Sequence, residues 1–277
     1  MAEQRIFITG GASGLGEALA ERYAHEKWSV CIGDVHRERG EDVVKKLLSL
    51  GVKAQFLYCD VTQDGDMEAA GQWMVKHWGG VNAVVNNAGV AVAGPYEDTS
   101  MDDWNWIIDI NLLGVVRGCK VFGRIFQKQG FGQFINIASA AGFIHMPRMA
   151  AYNATKAAVI ALSETLRLEY PNIKVSVVCP TFFKTRLAET MRSGDKRAKD
   201  EAAKLVTQSK VPASVIADSI YKAAEKNVFM ILPDFNARNA RLLKRIIPEP
   251  LYFKTMAFQI KQMKSRLGKN RAARTES

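Results

Sequence analysis

Short apolar runs alternate along this 277-residue chain with longer stretches in which apolar positions recur every three or four residues. RIFIT passes through a glycine-rich turn into GLGEALAERYA, whose apolar positions share one helical face. WSVCIGD, VNAVV, FINIAS and KVSVVCP repeat the apolar signal further on. Uninterrupted apolar runs of this length read as strands buried on both faces. Seven strand-like runs are counted, each followed by a helical one. The alternation predicts an α/β fold, a doubly wound parallel sheet with helices on both faces. No internal repeat or low-complexity linker divides the chain. With 48 % apolar residues it can bury one large core. Residues 1–235 are therefore expected to form one domain, with 236–277 as an extension.

The first turn brings in chemistry. Gly10, Gly14 and Gly16, with Gly11, Ala12 and Ser13 adding little bulk, let the backbone turn tightly and approach a pyrophosphate. Free amides and the dipole of the helix that follows favour its negative charge. The second strand ends in Asp34, where a dinucleotide fold places an acid against the adenosine ribose hydroxyls. A 2′-phosphate there would be repelled, and neither Ser13 nor Val35 supplies a compensating charge. NAD is the expected cofactor. NADP is the alternative, because an arginine among His36, Arg37 and Arg39 is able to fold back over the ribose. Further along, Tyr152 and Lys156 stand four residues apart, on one face of a helix, so the ammonium is placed to favour the ionised phenol. Ser139, thirteen residues before the tyrosine, is placed to hold a reacting oxygen.

These motifs together resemble the short-chain dehydrogenase/reductase family, from residue 5 to about 235. Its cofactor turn is matched by Thr9, Gly10, Gly14 and Gly16, with Ser13 and Leu15 between them; its Asn-Asn-Ala-Gly motif by Asn86, Asn87, Ala88 and Gly89; its adenine-flanking pair by Asp60 and Val61; and its helix asparagine by Asn111. Ser139, Tyr152 and Lys156 follow in the family's order and spacing. The resemblance implies a Rossmann-type sandwich with a seven-stranded parallel sheet. It implies that Tyr152 exchanges the proton, that Lys156 also binds the nicotinamide ribose, that Ser139 orients the substrate oxygen, and that Asn111 holds a water of the proton relay. Pro180 and Thr185 match the family's nicotinamide contacts. Thr181 departs from the pattern, standing where a glycine is usual, and Phe182 and Phe183 follow it. Two readings of the phenylalanines stand: a narrowed pocket, or core contacts.

Substrate choice is expected to rest on GFIHMPRMA, between Ser139 and Tyr152, and on a lid over about 186–210 whose apolar positions are spaced for an amphipathic helix. Phe143, Met146, Met149, Phe182, Phe183, Leu187 and Met191 make the expected cleft hydrophobic, suited to an apolar alcohol or ketone of lipid, steroid, terpenoid or aromatic type. His145 reads as a surface residue before a substrate ligand. Cys31, Cys59, Cys119 and Cys179 have no metal or redox spacing and read as buried thiols, and the histidines are scattered, so no metal is expected. With no secretory signal at the start and no membrane-spanning run, the expected compartment is the cytoplasm.

Charge singles out the extension. From Arg238 onward eleven Lys or Arg stand against two Glu, a net +9 of the chain's +10. Its basic, amphipathic sequence, broken by Pro248 and Pro250, is suited to peripheral contact with an anionic membrane, or to packing on the enzyme or a sister subunit with charges outward. Nucleic acid is not expected, because no recognition motif accompanies the charge. Family resemblance implies a homodimer or homotetramer through helices over 101–129 and 149–170. The resulting expectation is an NAD-dependent alcohol dehydrogenase or carbonyl reductase. Its competitors are an NADP-dependent reductase of the same fold and a catalytically idle, membrane-recruited sensor of the dinucleotide.

Overall fold

The computed structural model describes residues 3–258 and 261, apart from the side chains at 196–198, 201, 205 and 206. Seven strands, β1 (Arg5–Thr9), β2 (Ser29–Asp34), β3 (Ala54–Tyr58), β4 (Ala83–Asn86), β5 (Gln133–Ile137), β6 (Lys174–Val178) and β7 (Met230–Ile231), form one sheet. Their order is β3-β2-β1-β4-β5-β6-β7, and every pairing is parallel. The seven-stranded, doubly wound sheet read from the sequence is the one observed.

Alternating side chains of each strand feed opposite cores, as the two-residue strand period requires. Ile6 and Ile8 of β1 join Leu19, Tyr23, Leu47 and Ile220 on one face. Phe7 points to the other, where it stacks on Phe122 at 5.1 Å amid Met67, Met74 and Phe126. The first face is covered by α1 (Gly14–His25), α2 (Arg37–Ser49) and α8 (Ala213–Glu225); the second by α3 (Asp64–Trp78), α5 (Gly114–Gln129) and α6 (Ala150–Glu169). Each fully buried large side chain contributes about 1.5–3 kcal/mol, so these two layers hold the scaffold on which the loops stand.

Between α4 (Met101–Ile108) and α5 the chain takes one π-helical segment, Asp109–Leu113, so the expected helix over 101–129 is continuous but locally widened. Beyond β6, a single 3₁₀ turn at Arg186–Ala188 leads to α7 (Lys196–Thr207). The extension opens with α9 (Phe235–Ile246), capped by Asp234, whose carboxylate accepts from Ala237 N at 2.8 Å. Helical turns follow over 249–258. The remainder of the basic tail lies outside the described residues. No described helix is long and apolar enough to cross a membrane.

Candidate active site

Strand order reverses between β1 and β4, both running from the first half of the chain, and loops leaving their carboxyl ends diverge to opposite faces. Such a divergence opens a crevice, the general ligand site of open α/β sheets. Here it is a cleft of about 380 Å³.

One end is built by the turn after β1. Gly10 and Gly14 have φ of +64° and +59°, the left-handed region that glycine enters without strain. A Cβ on Gly16 would lie 2.1 Å from the Gly10 carbonyl oxygen, so glycine is required for α1 to pack under the turn. Asn87 clamps the turn from β4, donating to the carbonyls of Thr9 (2.9 Å) and Gly10 (3.1 Å). Thr9 Oγ1 in return accepts from Asn87 N at 2.9 Å and Ala88 N at 3.1 Å. Thr9, Gly14 and Gly16 thus shape the turn from behind, while Gly10, Ser13 and Leu15 line the cleft.

Asp34 lies on the same wall, with Oδ2 accepting from Ala12 N and Oδ1 from His36 N, each at 3.0 Å. A carboxylate oxygen accepts more than one bond, so both atoms retain sites for ligand hydroxyls. Asp60 and Val61 line the wall beside it; Asp60 is held by Thr62 N and Thr62 Oγ1 at 2.9 and 2.8 Å. Arg39 also lines this end and pairs with Glu189 at 3.3 Å, whereas Arg37 faces the Phe56 ring and Glu41. The glycine cradle, the helix start and the carboxylate fit an adenine dinucleotide laid along the cleft.

The other end gathers the polar residues of the second half. Ser139, Tyr152 and Lys156 line it with Ala88 and Gly89. Ser139 Oγ accepts from Ala141 N at 3.1 Å and reaches the Pro180 carbonyl only at 3.5 Å, so its hydrogen is readily redirected to a ligand oxygen. Burial pushes the Tyr152 phenol up, and a hydrogen bond from Ser139 opposes that shift. Lys156 is buried, donates to the Ile137 carbonyl at 2.9 Å and stands 5.8 Å from the Tyr152 ring centre. Burial lowers its pKa to about 8. The expected lowering of the phenol by the ammonium is therefore not what dominates here: desolvation acts against both charged forms.

Asn111 does not line the cleft. It sits in the π-helical segment, fully buried, with Oδ1 accepting from Val90 N at 2.8 Å and Nδ2 donating to Val90 O at 2.9 Å. Its second contact, Thr155 Oγ1 at 3.3 Å, ties this segment to the helix carrying Tyr152 and Lys156. A Cβ on Gly89 would lie 3.2 Å from Asn111 Oδ1 and 3.5 Å from Lys156 Nζ, so a side chain there would press lightly on the asparagine and touch the ammonium.

Pro180 and Thr185 close the cleft over the glycine turn; a Cβ on Gly14 would meet Thr185 Oγ1 at 2.9 Å. Thr181, the departure from the family pattern, has a partner. Its N and Oγ1 donate to the two oxygens of Asp234 at 2.9 and 2.7 Å, fastening the cap of α9 to the cleft floor. Phe183 packs against the core and also edges the cleft, and Phe182 lies there 41 % exposed, so the two readings each describe one ring.

Met146, Met149, Leu187 and Met191 line the apolar end as expected, but Phe143 does not; its ring turns into the core beneath α5 and α6, and Ile144 faces the cleft instead. His145 is exposed and off the cleft wall. Ala202 of α7 and Ala240 of α9 were missed, because a small residue in an amphipathic helix carries no signal of its own. A strap over 190–193 lies along 91–93 by a parallel bridge, Ala93 N to Arg192 O at 3.0 Å and Arg192 N to Ala91 O at 3.1 Å. All four cysteines are buried free thiols. Among the described residues no cluster of His, Cys, Asp and Glu is arranged for a metal.

Residues 4–196 match the family of short chain dehydrogenases. A 3beta-hydroxysteroid dehydrogenase 1 of Eggerthella lenta is 31 % identical, over 80 % of this chain and 87 % of its own length. An NADP-dependent (R)-specific alcohol dehydrogenase of Lentilactobacillus kefiri is 28 % identical over 82 % of this chain and 92 % of its own. Among solved structures, a short chain dehydrogenase/reductase from Burkholderia phymatum in complex with NAD superposes with a TM-score of 0.82 at 28 % identity, covering 87 % of this chain and 92 % of that one. The chain belongs to the short-chain dehydrogenase/reductase family. It is an oxidoreductase of the class that acts on CH–OH groups with a nicotinamide cofactor.

Proposed function

We propose that this enzyme interconverts an apolar secondary alcohol and its ketone with NAD, using Tyr152 as general acid/base. The observation that carries this reading is that one cleft holds the glycine turn and Asp34 at one end and Ser139, Tyr152 and Lys156 at the other. The bound nicotinamide supplies hydride exchange with the substrate carbon. Tyr152 gives the matching proton to the substrate oxygen, or takes it. Ser139 Oγ, held by Ala141 N, donates to that oxygen as alkoxide character develops. Lys156 and Asn111 act behind the tyrosine, the first at the nicotinamide ribose and the second by fixing the segment that faces it. Leu187, Met149 and Met191 suit an apolar substrate and, with the lid over 186–210, exclude water.

NAD is preferred because a second negative charge at the ribose would meet the Asp34 carboxylate. Arg39, on the same wall, favours the competing NADP reading. Asp34→Ala separates them: relative kcat/KM for NADP rises if the carboxylate selects against it, and stays level if Arg39 already accepts the phosphate. We further propose a cytoplasmic enzyme, in keeping with its free thiols, that forms a homo-oligomer through α5 and α6, where Leu113 at the end of the π-helical segment and Leu168 of α6 are exposed.

The decisive assay follows reduced nicotinamide by absorbance with a panel of apolar secondary alcohols. Tyr152→Phe is expected to lower kcat by roughly 10²–10⁴-fold with NADH binding retained. Unchanged turnover in that variant would remove the tyrosine from the mechanism. Tight NADH binding with no turnover of any alcohol or ketone would favour a sensor.

A further inference from the structure

The helix that opens the extension is mounted with its apolar stripe outward. On the side of α9 that meets the body, Ala237 is buried, Ala240 lines the cleft, and Lys244 donates to the Phe143 carbonyl and stands 5.6 Å from the Tyr252 ring. On the opposite side stand Phe235, Leu242 and Ile246, which are 71 %, 57 % and 68 % exposed. Their i, i+7, i+11 spacing puts them in one stripe, and the exposed Arg238 and Arg245 fall along one edge of it. The turns over 249–258 continue the pattern, with Leu251, Phe253 and Phe258 exposed beside Lys254. A helix lying on a protein normally buries its apolar stripe. Here a lysine turns in and the apolar residues turn out, and a contiguous apolar surface of this kind marks an interaction site.

Charge selects the partner. Between 238 and 261 six Lys or Arg stand against Glu249 alone. The same face of a second copy would be repelled, and the rest of the chain is near neutral overall and carries no net opposite charge. An anionic bilayer supplies both apolar depth and negative charge. We propose that α9 and the turns after it dock in the surface of an anionic membrane. The rim of the cleft, formed here by Ala240 and the loop from Phe143, then stands close to the lipid, and an apolar substrate enters without crossing open water. The docking itself rests on the geometry of α9 and needs no turnover, so its failure would leave the dehydrogenase reading intact.

The test is flotation of the full chain with vesicles of phosphatidylcholine, with and without phosphatidylglycerol. Wild type is expected to float with the anionic vesicles only, and less as salt rises. Phe235→Ser/Leu242→Ser/Ile246→Ser should lose at least ~tenfold in partitioning, and Arg238→Gln/Arg245→Gln roughly fivefold per cation. Unchanged circular dichroism and NADH binding in both variants establish that the fold is intact. The proposal is overturned if wild type stays with the unbound fraction, if the triple variant floats as well as wild type, or if that variant instead dissociates an oligomer formed without lipid.

Discussion

At the scale of single residues the reacting end of the cleft is a place where burial outweighs charge pairing. Lys156 is shut away among apolar groups with a carbonyl for company, and its pKa falls to about 8 from an ordinary 10.5. In the unfolded chain it keeps the ordinary value. Below pH 8 the folded protein therefore holds a buried ammonium at a cost, and that cost is relieved as pH rises from 8 toward 10.5, where the native state has shed the proton and the unfolded state has not. The shift corresponds to roughly 3 kcal/mol. Lys156→Met, which keeps the length and loses the charge, should raise the melting temperature at pH 7 by about 5 °C, less what the orphaned Ile137 carbonyl takes back. The gain should shrink steadily above pH 8, while turnover is lost throughout. Melting curves of the two proteins across that range check the sign; a constant gap would show that packing, not charge, is responsible. The sequence made Tyr152 and Lys156 legible as a pair because a four-residue spacing along one helix puts both on one face, and Ser139, just past β5, joined them through the order of the family's motifs. It left the balance of charge and burial unread, since desolvation depends on loops that close from elsewhere in the chain.

Elements were legible where hydrophobic period and turn chemistry agreed. All seven strands and the helices between them follow from apolar runs and from glycines such as Gly10 and Gly14, whose left-handed backbone has few alternatives, and Gly16, where a Cβ would meet the Gly10 carbonyl. What stayed hidden was the orientation of elements whose two faces differ little in demand. An amphipathic pattern predicts a helix but assumes its apolar side turns inward, and α9 reverses that because its attachment is polar. Thr181 and Asp234 carry the attachment: two bonds between them, and a third that the same carboxylate accepts from Ala237 N. Thr181→Gly, restoring the family residue, removes one charge-assisted bond worth about 1–2 kcal/mol at this half-buried site. A drop of about 2–4 °C in melting temperature is expected. Asp234→Ala also removes the helix cap and should lose more. Hydrogen exchange at the first amides of α9 should quicken in both variants, more in the second. Equal exchange in wild type and Thr181→Gly would mean that α9 is held by its apolar contacts alone.

For the molecule as a whole, the topology places the cleft and the late loops decide its shape. The change of winding direction between β1 and β4 opens the crevice in which we propose the dinucleotide lies, and motifs and sheet order alone point to that crevice. The substrate end is assembled from segments far apart in the chain: 91–93, the loop after Ser139, the strap over 190–193, α7 and α9. Only their tertiary meeting shows that Met191 is buried against Ala91, Ala93 and Ala202, with Tyr152 and Met149 packed beside them. Arg192, its neighbour, faces outward, with its guanidinium 3.9 Å from the Trp106 ring centre and 3.7 Å from Asp103. One residue of the strap is wall and the next is latch, and substitution should separate the roles. Met191→Ala opens space beside the tyrosine, and a methylene accommodated or refused in an apolar pocket changes discrimination by about 1–3 kcal/mol. Alcohols one or two carbons bulkier should gain roughly tenfold in kcat/KM relative to compact ones, with the cofactor KM unchanged. Arg192→Ala leaves the wall intact and loosens the closure, so KM should rise for every alcohol by a similar factor and their ranking should hold. If Met191→Ala weakened all substrates alike, the strap would be acting as cover over the site and specificity would have to be sought in the loop after Ser139.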